Sequence, residues 1–102
     1  MYNNDLDNNF SLNYGNLELA SWVTYNQGTC ICNNKMIKIS IIVTMGNNGD
    51  GWSAFKLPVS PSIEQNIFAN GGAIMKVKTS GWVDVITAFP PGVYNIDAII
   101  LL

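Results

Sequence analysis

The chain has 102 residues and a mass of 11.2 kDa, is 48% hydrophobic and 11% aromatic, and so has the size and composition of one folded domain, which excludes intrinsic disorder and a two-lobed enzyme. Charge is scarce at 12% of residues, with five Lys, seven Asp plus Glu, no Arg, no His and a net charge of -2, and polarity comes instead from 14 Asn and 12 Ser plus Thr. Five lysines in an acidic chain make no basic stripe for nucleic acid, and the longest apolar runs, Ile37 to Met45 and Ala98 to Leu102, fall far short of the roughly 20 residues of a membrane-spanning helix.

Residues 1–16, with six Asn and two Asp, read as a loosely draped leader ahead of a single domain at 17–102. The segment from Met1 to Asp7 lacks a basic region followed by an apolar one, so no cleaved secretion signal is expected. From Leu17 to Tyr25 apolar and polar positions alternate with period two, predicting a strand that Asn26-Gln27-Gly28 breaks. Thr29 to Cys32 forms a short strand, and Asn33-Asn34 suits a hairpin turn because Asn tolerates the left-handed region. Lys35 to Met45 is the strongest strand, with Ile37, Ile39, Ile41 and Val43 facing the core. Gly46 to Gly51 consists entirely of turn-forming residues and must leave the ladder as an exposed loop. Trp52 to Leu57 resumes an extended segment, and Pro58 to Pro61 is irregular. Ser62-Ile63-Glu64-Gln65 has capping-box spacing and predicts one helical turn reaching Ala69. Asn70-Gly71-Gly72 and Thr79-Ser80-Gly81 are turns around a strand at Ala73 to Lys78. Trp82 to Phe89 and Val93 to Leu102 are the last strands, separated by Pro90-Pro91-Gly92.

Seven or eight strands rich in Ile and Val, with almost no helix, predict an all-β fold: an antiparallel β-sandwich, jelly-roll-like. Ile99, Leu101 and Ile42 are apolar on the faces that alternation assigns to solvent. A second sheet or another copy of the chain should therefore cover them, which favours a homo-oligomer.

The chemistry open to the chain is narrow. Without histidine it lacks the usual base for a Ser or Cys nucleophile, and without arginine it cannot clamp phosphate with a guanidinium. Two of Glu18, Asp50, Glu64, Asp84 and Asp97 could form a glycosidase pair, so a small glycosidase stands as an alternative, although a domain this small rarely builds a deep cleft. Cys30 and Cys32 share a strand face with Cα atoms about 6.5 Å apart, a poor disulfide geometry, and no further Cys or His is present to complete a zinc site. They read as free thiols, and no cofactor or metal is expected. Asn47, Asn48 and Asp50, or Asp5, Asp7 and Asn8, offer oxygen donors, but each set has at most two carboxylates, fewer than a high-affinity calcium loop supplies.

The loop before Trp52 suits a sugar better. The amides of Asn47 and Asn48 and the carboxylate of Asp50 can hydrogen-bond hydroxyls while the Trp52 indole covers the C–H face of a pyranose. Trp82 with Asp84 is a second possibility, and Trp22, Tyr25, Phe89 and Tyr94 are further stacking candidates whose simpler reading is packing.

Three segments carry a family resemblance: Phe55-Lys56-Leu57-Pro58-Val59-Ser60-Pro61, Thr79-Ser80-Gly81-Trp82-Val83 and Gly92-Val93-Tyr94-Asn95-Ile96. Over about residues 20–102 the chain resembles the distal head domains of phage tail-fibre and baseplate receptor-binding proteins, with Ser60 standing where that family commonly has arginine. The resemblance implies a jelly-roll-type sandwich that trimerises, adheres without catalysis to saccharide on the host cell surface, and sits in the virion tail among other tail proteins after synthesis in the host cytoplasm. A purely structural virion module is the alternative within the same setting.

Overall fold

Alternation along residues 36–45 places one unbroken apolar face on the longest ladder of the protein, and the rest of the chain folds against that face. The computed structural model describes residues 10–12, 17–32, 35–70 and 73–102. Among these, nine strands form: β1 (Phe10–Leu12), β2 (Glu18–Leu19), β3 (Val23–Cys32), β4 (Met36–Met45), β5 (Ser53–Lys56), β6 (Gln65–Phe68), β7 (Ile74–Val77), β8 (Trp82–Val85) and β9 (Gly92–Leu101). They make a four-stranded sheet ordered β1-β3-β4-β9 and a five-stranded sheet ordered β2-β5-β8-β7-β6. Every pairing is antiparallel, giving the expected all-β sandwich. In the five-stranded sheet the meander β6-β7-β8 is joined by β5, which lies beside β8 and connects to β6 through residues 57–64. This is a Greek key, the unit of which a jelly roll contains two.

Between the sheets lie the fully buried Ile37, Ile39 and Val43 of β4 and Ile96 and Ile100 of β9, opposed by Phe55, Met75, Val77, Val83 and Val85. Full burial of each such side chain is worth about 1.5–3 kcal/mol. One side of the sandwich is stitched shut where β9 meets β6. Ala69 bridges Ile96, the Gln65 amide donates to the Leu101 carbonyl (2.6 Å) and accepts the Leu101 N–H (2.8 Å), and Asn70 accepts the Asn95 N–H. A side-chain amide thereby occupies the edge hydrogen bonds that would otherwise invite another strand.

Several local expectations change. Asn26-Gln27-Gly28 does not end a strand: β3 runs through it, with Asn26 as an extra residue between the Tyr25–Val43 and Gln27–Ile42 pairs. The Asn26 amide bonds the Thr44 hydroxyl at 3.0 Å and the Tyr25 hydroxyl donates to the Gly28 carbonyl at 2.7 Å, so polar residues that usually make turns here satisfy a β-bulge. The bulge reverses the alternation: Val23 faces inward before it, and Cys30 and Cys32 after it. The segment read as one strand from Leu17 to Tyr25 is two pieces in two sheets, the chain crossing between them at residues 20–22. The helical turn expected at 62–69 is instead strand β6, because pairing with β7 and burial of Ile67 outweigh one turn of helix, which nucleates poorly. The strand from Trp82 stops at Val85 rather than Phe89. Within the stretch read as a leader, Phe10–Leu12 is β1, paired to β3; residues 1–9 and 13–16, and the Asn33-Asn34 and Gly71-Gly72 turns, lie outside the described residues.

Ile99 and Leu101, each 56% exposed, lie on the outer face of the four-stranded sheet together with Ile31 and the half-buried Ile42. Among the described residues no second sheet covers this face, and Ile31, Ile99 and Leu101 are exposed there.

Candidate functional site

The ends of β4 and β8 and the starts of β5 and β9 bring loops 46–52 and 86–91 to one end of the sandwich. Backbone bonds tie the first loop into the β8 ladder. Trp52 N–H donates to Gly49 O (3.1 Å), Gly51 N–H to Val85 O (2.9 Å), and Val85 N–H to Trp52 O (2.8 Å). Gly51 takes a φ of 79°, a left-handed conformation that suits glycine.

This scaffold leaves Trp52 half exposed, at 50%. Its indole lies over Gly49, where an added Cβ would come within 2.9 Å of Nε1, and meets Trp22 edge-on with centroids 6.1 Å apart. Trp22 is itself held by donation from its Nε1 to Ser53 O at 3.2 Å. Steric and aromatic contacts thus fix one exposed indole face, the pre-organisation that stacking on a sugar ring requires.

The other loop residues divide by role. Asn48 donates to Gly46 O (2.9 Å) and Phe89 O (3.0 Å) and accepts from Phe89 N–H (2.9 Å), so its amide joins the two loops. Asp50, an exposed residue, accepts the Ala88 N–H at 2.7 Å through Oδ1. Asn47 is exposed beside them. The 86–90 segment, with Ala73 and Ile74, also lines an apolar depression of about 290 Å³. Phe89 is buried against Tyr94 (centroids 5.1 Å apart), whose hydroxyl donates to Pro90 O, and both are packing groups here.

Trp82 and Asp84 stand elsewhere, on the outer face of the five-stranded sheet. Asp84 accepts from Ser53 Oγ (2.7 Å) and pairs with Lys78 Nζ (3.1 Å), while Trp82 lies opposite Lys56. The fold therefore gathers Asn47, Asn48, Asp50 and Trp52 in one loop, while Trp82 and Asp84 lie on β8, with Asp84 hydrogen-bonded to Ser53, the residue after Trp52. Asp84 and Asp97 occupy outer faces of opposite sheets.

Cys30 and Cys32 are buried on the inner face of β3 and are not joined by a disulfide. Burial, and secondarily the charge of Cys32, pushes the Cys30 thiol up to about 11, and burial raises Cys32 as well. Among the described residues no three or more His, Cys, Asp or Glu come together to hold a metal, and no helix is long and apolar enough to cross a membrane. Asp5, Asp7 and Asn8 lie outside the described residues.

One surface was missed by residue-by-residue reading: a depression of about 410 Å³ on the outer face of the four-stranded sheet, lined by Gln27, Thr29, Ser40, Ile42, Asn95 and Asp97 among others. Period-two parity marks Ser40, Asn95 and Asp97 as outward, but only the register of the strands brings them together. A scan of protein-family models and a search of curated proteins found no match to this chain.

Proposed function

We propose that the protein is a non-catalytic, carbohydrate-binding head domain of the phage tail receptor-binding kind, acting as a homotrimer on host cell-surface saccharide. On this reading it belongs to the virion tail, next to other tail proteins, and is made in the host cytoplasm. The observation that carries the binding role is the half-exposed Trp52 indole, held by Trp22 and Gly49 in the loop that also carries the exposed Asp50. An aromatic face next to a carboxylate matches the two sides of a pyranose, and Asn47 adds an amide at the rim. The exposed Ile31, Ile99 and Leu101 support subunit contact at the far end of the four-stranded sheet.

A glycan array, followed by titration of tryptophan fluorescence with fragmented envelope saccharides, tests this. Trp52→Ala should weaken binding roughly tenfold, corresponding to loss of one stacking contact. Light scattering should give three times the chain mass. A stable oligomer with no glycan response favours the second reading, a structural assembly module, whose support is the same exposed apolar face.

A further inference from the structure

The register of β3, β4 and β9 aligns two adjacent rows of outward residues. Gln27, Ile42 and Asn95 form one row, and Thr29, Ser40 and Asp97 the next. With strands about 4.8 Å apart and same-face neighbours about 6.7 Å apart along a strand, the six side chains cover a patch of roughly 10 by 7 Å. Ser40 stands on the central strand between Thr29 and Asp97, and these rows line a depression of about 410 Å³.

Its hydrogen-bonding capacity is open. Among the described residues, the side chains of Gln27, Thr29, Ser40, Asn95 and Asp97 have no hydrogen-bond or ion-pair partner, although Lys38 stands one row away and lines an adjoining depression with Asp97. This contrasts with the loop end, where Asn48 spends its amide on the scaffold and Asp50 spends one oxygen.

We infer that this depression is a second binding site, for a neutral, polyhydroxylated ligand the size of one hexose. Two amides and two hydroxyls both donate and accept, the Asp97 carboxylate accepts from adjacent ligand hydroxyls, and Ile42 meets the C–H side. An anionic ligand would oppose Asp97. A calcium ion would find a single carboxylate, too few for a stable site. The site lies on a different surface from Trp52 and does not depend on it.

The test is a two-dimensional ¹H–¹⁵N NMR titration of the full chain with D-glucose, D-galactose and D-mannose separately. At least one should produce saturable shifts at residues 27–29, 40–42 and 95–97 with millimolar affinity. Ser40→Tyr, a residue well suited to strands, fills the depression and should abolish those shifts while the spectrum stays dispersed. Asp97→Asn should weaken binding roughly tenfold, and Trp52→Ala should leave it unchanged. The inference is overturned if no sugar shifts these amides, if Ser40→Tyr and Asp97→Asn titrate like the parent, or if Trp52→Ala removes the response. The last result assigns binding to the loop end. Conversely, shifts at these amides that survive Trp52→Ala, with no shifts at residues 46–52 in the parent, support this site and count against the loop reading.

Discussion

Gly28→Ala should be among the most damaging single-methyl additions available in this protein. A Cβ at Gly28 would lie 2.2 Å from the Ser40 carbonyl oxygen and 2.5 Å from Ile41 Cα, both backbone atoms of the central strand β4. Neither can move without opening the ladder. The backbone also holds φ at 132°, where L residues are strained, and a strained residue costs up to about 3 kcal/mol before the clash is counted. Strain and clash together should cost about 3 kcal/mol, against about 5–15 kcal/mol for a typical domain. With a urea m-value near 2 kcal/mol/M, the midpoint should fall by roughly 1.5 M. Gly51→Ala is the matched control: φ is also positive, at 79°, but nothing lies within 4 Å of the added methyl, and its cost should stay near 1 kcal/mol. Equal midpoints for the two variants, or a Gly28→Ala loss under 1 kcal/mol, would refute the claim that close strand approach at the bulge requires glycine.

Two further outcomes follow from polar and titratable groups. Asn48→Ala strands the Phe89 N–H and carbonyl and removes the bond to Gly46 O, so it should cost about 2–3 kcal/mol in urea melts, and Asn48→Asp, which keeps the acceptor but sets a carboxylate oxygen against both carbonyls, should also destabilise; an Asp variant as stable as the parent contradicts the assignment. The Cys30 thiol rises from 9.0 to about 11 on folding, so the folded protein keeps that proton longer than the unfolded chain. The associated stability is complete below about pH 9 and lost as pH rises toward about 11. Urea midpoints should decline across that window more steeply in the parent than in Cys30→Ala, and parallel slopes would remove the thiol from the account.

What the sequence reveals depends on how far away each residue's partner lies. Residues 36–45 and 92–101 are legible because strict alternation needs only neighbours: Ile37, Ile39, Ile41 and Val43 are buried as their parity demands. Trp52 is legible for a similar reason, since it follows a run of turn residues that must leave the ladder, and it is half exposed. Asn48 is not, because its partner Phe89 is 41 residues away and nothing near either residue announces the other. The capping box at 62–65 fails in the opposite direction. Its local signal is genuine, yet Gln65 uses its amide on Leu101, 36 residues on, and the segment joins a sheet.

The bulge shows most sharply why the outer-face depression escaped a sequence reading. In Val23 and Tyr25 the odd positions point toward the core side, whereas in Cys30 and Cys32 the even ones do. A reversal of parity within one apolar stretch has two physical solutions: two strands with a turn between them, or one strand carrying an extra residue. Asn26-Gln27-Gly28 suits either, since amides and glycine serve turns and bulges alike. What decides is β4, whose ten residues run unbroken opposite the whole stretch and would lose pairing partners if β3 stopped. Once the extra residue is accepted, Gln27 and Thr29 must face outward, in register with Ile42 and Ser40 and through them with Asn95 and Asp97. One inserted residue thus turns two thiols into the core and completes the polar rows on the opposite face.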